Sequence, residues 1–89
     1  MFEVEWRPEP LNDLTEVWLA ADGFGRQAIT RAVQRIDRAL ERNPLDTGEE
    51  RAGNDRIHFE RPLVVLFEVL QVERQVRVLR MWMTGSRRE

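Results

Sequence analysis

The stretch RIHFERPLVVLFEVLQVERQVRVLRMWM, residues Arg56 to Met83, decides the fold. Ile57 and Phe59 alternate with Arg56, His58 and Glu60, which is the period-two pattern of a half-buried strand, and Arg61-Pro62 supplies a turn. Leu63 to Val72 is apolar on both faces of that period: Leu63, Val65, Phe67 and Val69 fall on one, Val64, Leu66 and Leu70 on the other. Such a segment reads as a central strand. Glu73-Arg74-Gln75 reads as a short hairpin connection and Val76 to Met83 as the last strand. Strict alternation predicts Val76, Val78, Arg80 and Trp82 on one face of it, and Arg77, Leu79, Met81 and Met83 on the other.

Working outward, Phe2, Val4 and Trp6 alternate with Glu3, Glu5 and Arg7, a strand that Pro8 and Pro10 stop. Pro10 fits the first turn of a helix, and Leu11, Leu14, Trp18 and Ala21 follow at spacings of three and four with Val17 beside them. Asp22-Gly23-Phe24-Gly25 is expected to end that helix. A second runs from Arg26 to Asn43, with Ile29, Val33, Ile36 and Leu40 in one stripe. Arg31, Arg35, Arg38 and Arg42 stand two positions on, about 200° around the axis, so the arginine row lies opposite the apolar row. Asn43-Pro44 closes the helix, Leu45 to Asp55 is aperiodic and reads as a loop, and Gly85 to Glu89 is a polar tail.

The order strand, helix, helix, strand, strand, strand predicts an α+β fold in one domain, residues 1–89. A helical hairpin on one face of a mostly antiparallel four-stranded sheet buries both helix stripes and one sheet face. The other face keeps apolar residues uncovered, so Val64, Leu66 and Leu70, together with Trp82 and Met83, are expected to meet a partner.

Composition narrows the chemistry. The chain has no cysteine, which excludes disulfides and thiolate metal sites, and no apolar run approaches the ~20 residues of a membrane helix. The acidic start Met-Phe-Glu-Val-Glu is unlike a signal peptide, so a cytoplasmic protein with no membrane partner is expected. A net charge of -2 gives no overall positive field for nucleic acid, although all 14 basic residues are arginine. His58 is the single histidine, so no metal site is expected, and nothing implies a cofactor. The few hydroxyl residues sit in no nucleophile motif. What remains is Arg56, His58 and Glu60 on one strand face, with Arg80 placed either to join them or to pair with Glu68.

Several segments together resemble the RelE/ParE superfamily of small bacterial toxins: Val4-Glu5-Trp6 with a following proline, Leu14-Thr15-Glu16-Val17-Trp18, and Ala32-Val33-Gln34-Arg35-Ile36-Asp37 leading to Leu40 and Asn43-Pro44-Leu45. Gly48, Arg56, Pro62-Leu63-Val64-Val65-Leu66-Phe67-Glu68-Val69 and Val76-Arg77-Val78-Leu79 extend the resemblance over nearly the whole chain. It implies the toxin of a type II toxin-antitoxin module of the plasmid-stabilisation kind, neutralised by a cognate antitoxin peptide. Some members cleave mRNA on the ribosome and others inhibit DNA gyrase. Carried over, Arg56 takes the basic position of the second strand and Arg61 a second one, so Arg56, His58, Arg61 and Arg80 are the catalytic set the resemblance implies for an mRNA endonuclease. The chain departs from the pattern in having neither tyrosine nor lysine, and in carrying Trp82 and Met83 where many members have histidine or arginine. The alternative is an interaction module that keeps the toxin fold without activity, with a homodimer through the Val64, Leu66 and Leu70 face as one form of it.

Overall fold

The structure is a computed structural model that describes residues 1–85. Of the expected polar tail, only Gly85 lies within the described residues. Strand β1 (Glu3–Trp6) leads into helix α1 (Pro8–Ala20) and helix α2 (Gly23–Arg42), followed by a 3-10 turn at Pro44–Asp46 and strands β2 (Glu49–Glu50), β3 (Asp55–Glu60), β4 (Leu63–Leu70) and β5 (Gln75–Met83). The sheet order is β1-β5-β4-β3-β2. Strand β1 runs parallel to β5, and every other pairing is antiparallel. The sheet therefore has five strands where four were expected, because Glu49 and Glu50, inside the segment read as a loop, pair with Ile57 and Arg56. Two residues are too few to leave a periodic signal in the sequence.

Pro8 and Pro10 both fall in the first turn of α1, where a missing N–H costs no helical hydrogen bond. Asp22 then serves as the N-cap of α2, its carboxylate accepting the Gly25 N–H at 2.8 Å. The expected break of four residues is thus shorter, with Gly23, Phe24 and Gly25 inside the first turn of α2. A side chain at Gly25 would bring its Cβ to 2.9 Å from the Ala21 Cβ, so the tight passage between the helices needs glycine there. Arg26 completes the corner. Its Nε and Nη2 donate to the Trp18 and Leu19 carbonyls at 2.9 and 3.0 Å, satisfying acceptors that the end of α1 leaves open.

The core lies between α2 and one face of the sheet. Ile29, Ala32, Ile36 and Leu40 pack there against Leu63, Val65, Phe67 and Val69 of β4 and Val76, Val78 and Met81 of β5. The last strand departs from strict alternation. Leu66 pairs with Arg80 but Phe67 pairs with Val78, so Leu79 is an extra residue opposite one β4 step. This bulge reverses the facing of everything after it. Val76 and Val78 face the core as expected, but Met81 and Met83 join them, and Arg80 is exposed on the open side. The segment read as β4 also ends two residues early: Val72 is 93% exposed in the 71–74 turn, where Arg74 adopts φ 57.

Strand β1 is tied to the far end of α2. The Phe2 N–H donates to the Glu41 carbonyl at 2.9 Å, and the Trp6 Nε1–H donates to Asp37 Oδ1 at 2.9 Å. Burial holds the Asp37 carboxyl above its ordinary range, the Trp6 hydrogen bond opposes that shift, and the neighbouring Glu41 charge adds to it. A carboxyl whose pKa is higher folded than unfolded costs stability while ionised, and the cost is relieved as pH falls through the folded value. Asp37→Asn keeps an acceptor for Trp6 and removes the charge, so urea unfolding at pH 7 should find it as stable as the parent or more so. The advantage should shrink as pH is lowered toward 4. Asp37→Leu, which orphans the Trp6 N–H, should lose about 1 kcal/mol relative to Asp37→Asn.

Candidate functional site

The face of the sheet turned away from the helices carries most of the expected partner residues. Pairing places Val64 between Phe59 on β3 and Trp82 on β5, and Leu66 between Ile57 and Arg80. Leu70 lies farther along the same side of β4. The row from Val64 to Leu70 is about 20 Å long at the usual strand rise. Val64 is buried beneath its neighbours, whereas Phe59 is 62% exposed. Met83 is the exception among the expected partner residues. It packs against the helix-side core, because the bulge turned it inward. Phe59 and Ile57 were missing from the expected set, yet the signal was present: they alternate with Arg56, His58 and Glu60, and the tight Arg61-Pro62 turn pairs Phe59 with Val64.

Glu68 interrupts this row between Leu66 and Leu70, and further charges flank it on the β1 side. Arg77 lies between Glu5 and Glu68, its Cα partners on β1 and β4, with its Nε 3.5 Å from Glu5 Oε1 and its Nη1 3.7 Å from Glu68 Oε2. Arg7 adds a contact to Glu5 at 3.2 Å. Of the two places the sequence left open for Arg80, neither is taken: it lies opposite Leu66 on the open face, away from Arg56 and His58, and Glu68 has Arg77 as its cross-strand partner.

The four residues of the expected catalytic set do not come together. Arg56, His58 and Glu60 do share a face, but it is the helix side of β3, since Arg56 pairs with core residue Phe67 and His58 with core residue Val65. Arg80 is on the open face, two strands away. Arg61 is exposed in the turn after β3, about 16 Å along the strand from Arg56.

Each helix-side residue has a local task. The Arg56 Nε donates to the Thr47 carbonyl at 2.9 Å and its Nη2 to the Gly48 carbonyl at 3.0 Å, with Glu50 Oε2 at 3.8 Å from Nη1. Gly48 has φ +70, and any Cβ there would collide with the Ile57 carbonyl, so the loop passes against β3 only with glycine. His58 Nε2 is 3.2 Å from Glu60 Oε1, and Glu60 Oε2 is 4.0 Å from Arg35 Nη1 on α2. These contacts fasten the loop and α2 to the edge of the sheet. Among the described residues no cluster of three or more histidine and carboxylate ligands is placed to hold a metal ion. Nor, among the described residues, is any helix long and apolar enough to cross a membrane.

A two-helix hairpin on one face of a mixed sheet, with β1 parallel to the last strand, is the RelE/ParE-type toxin fold. The chain is similar to one from the chromosomal ParDE TA system of P. aeruginosa, with TM-score 0.72 and 18% identity over 93% of this chain and 96% of that one. It is also similar to a chain of the toxin-antitoxin complex RelBE2 from Mycobacterium tuberculosis, with TM-score 0.75 and 16% identity over 96% of this chain and 93% of that one. No protein-family model and no curated protein sequence matches the chain.

If Arg56 is a fastener, its loss acts on the loop. Arg56→Ala should cost about 1.5–3 kcal/mol in urea unfolding, the range for hydrogen bonds from a charged donor, and should speed amide exchange in residues 47–50. Arg80→Ala, exposed on the open face, should leave stability within about 0.5 kcal/mol of the parent.

Proposed function

We propose that this chain is the toxin-like component of a type II toxin-antitoxin module, neutralised by an antitoxin polypeptide that lies on the open sheet face. The observation that carries the reading is the fold agreement over nearly the full length of both chains with members of the ParDE and RelBE2 assemblies. The exposed Phe59 and the apolar row through Leu66 supply a surface for such a partner. The activity held in check is directed at translation or at DNA gyrase. If RNA is the target, Arg61 and Arg80 are the exposed arginines of the expected set, because Arg56 is committed to the Thr47 and Gly48 carbonyls.

A second reading is favoured by one observation. The expected catalytic residues are divided between two faces and a turn, which suits an interaction module that keeps the fold without catalysis.

Expression of the chain alone and together with the product of the adjoining reading frame tests both. The toxin reading predicts growth arrest that co-expression relieves, and a complex that survives purification. Phe59→Glu should weaken that complex at least tenfold without shifting the unfolding midpoint, since Phe59 is exposed. Binding without any growth arrest would favour the inactive module, and an adjoining product that neither binds nor relieves arrest would sink the antitoxin reading.

A further inference from the structure

Helix α2 has an outer face that the fold does not use. Its core stripe of Ile29, Ile36 and Leu40 is buried, while Arg31, Arg35, Arg38 and Arg42 are exposed on the outside. At about 100° per residue the four arginines fall within a sector of roughly 60°, and Phe24 falls inside the same sector about two turns before Arg31. The row from Phe24 to Arg42 is about 27 Å long. Phe24 is 86% exposed and lies between Gly23 and Gly25, neither of which places a side chain beside its ring.

The charge along this face has one sign. The guanidinium groups of Arg31, Arg38 and Arg42 make no ion pair or hydrogen bond among the described residues, and Arg35 reaches only Glu60, at 4.0 Å. Asp22 is turned to the Gly25 N–H and Asp37 accepts the Trp6 N–H. Glu41, about 60° from Arg38 around the axis, forms no ion pair with it among the described residues. A merely solvated helix face interleaves charges of both signs, and this one does not. The chain's net charge of -2 is carried by carboxylates on other elements, Glu3, Glu5, Glu9 and Glu16 among them.

We propose that the outer face of α2 binds single-stranded nucleic acid, its phosphates following Arg31, Arg35, Arg38 and Arg42 and an unpaired base stacking on Phe24. Backbone contact to nucleic acid is carried by charge, which is what the ridge offers. The centre of a protein interface is apolar and an interfacial membrane helix needs an apolar face, but between Phe24 and Arg42 the ridge carries no apolar side chain larger than alanine. Groove binding to a duplex is excluded by width: α1 lies beside α2, and two adjacent helices of about 10 Å each exceed the major groove of about 12 Å. An exposed aromatic ring at the end of a basic row is instead the arrangement that holds an unpaired strand. This surface lies across the molecule from the open sheet face, so it is independent of the antitoxin reading and of any cleavage site on the sheet.

Fluorescence anisotropy of the full chain tests it, with a labelled single-stranded RNA, a DNA strand of the same sequence and the DNA duplex titrated between about 50 and 200 mM salt. The parent should bind a single strand more tightly than the duplex, and any preference between RNA and DNA names the source of the strand. Arg31→Gln/Arg38→Gln/Arg42→Gln should bind at least tenfold more weakly at the lower salt, and its slope of log K against log salt should be shallower by about 2, three phosphates at about 0.7 each. Phe24→Leu should bind about fivefold more weakly or worse with its slope unchanged, because a stacking ring is lost and no charge. All four substituted positions are exposed, and thermal unfolding verifies that both variants fold. A parent that binds neither strand overturns the proposal, as does tighter binding to the duplex or to phosphatidylglycerol vesicles. Binding kept by the triple variant but lost in Arg61→Gln/Arg80→Gln also overturns it, since nucleic acid would then belong to the β3–β4 turn and the open sheet face. Phe24→Leu binding as tightly as the parent overturns the stacking assignment.

Discussion

Strands β4 and β5 pair along their whole lengths, and the rest of the molecule is arranged around the single irregularity in that pairing. With Leu66 opposite Arg80 and Phe67 opposite Val78, Leu79 is surplus and the side-chain alternation of β5 resets behind it. Without the reset, Arg80 would point into the core between α2 and the sheet, and Met81 would face water. A buried arginine with no partner costs far more than a methionine left exposed, so burial energy selects the bulged register. The same reset carries Met83 inward and leaves Trp82 beside Val64 on the open side.

This division gives the sheet two unlike faces. The helix side is a dry core, completed at its edge by the Arg56, His58, Glu60 and Arg35 contacts that fasten the loop and α2. The open side holds an apolar stretch around Phe59, Val64 and Leu66, beyond which Glu68 on the same strand face joins the Glu5 and Arg77 contacts. An 89-residue chain has little core to spare, and leaving one sheet face without a helical layer is costly unless something else covers it. A partner that lies on this face would therefore stabilise the fold as well as occupy it.

The sequence made the architecture legible where periodicity is long and unambiguous. The stripe Ile29, Val33, Ile36, Leu40 defined α2, and the doubly apolar run from Leu63 defined the central strand. It was silent where structure depends on single residues. Strand β2 is only Glu49 and Glu50, and its pairing comes from the passage of the loop over Gly48 and not from any pattern of its own. The bulge's one mark is Arg80 itself, which strict alternation puts on the buried Val76 and Val78 face, while Leu79 and Met81, both apolar, do not show where the alternation resets. That one reset misplaced Arg80 and Met83 together. The shared face of Arg56, His58 and Glu60 was legible from strand period, but which face it was depended on tertiary packing.

The most direct test is the β4–β5 register itself, read from cross-strand proton contacts by NMR in the isolated chain. The account predicts contacts between Leu66 and Arg80 and between Phe67 and Val78, with the Met81 methyl close to side chains of the buried core. A continuous register, with Phe67 opposite Val78 but Leu66 opposite Leu79 and Val65 opposite Arg80, and the Met81 methyl in solvent, would contradict it and would move Arg80 off the open face.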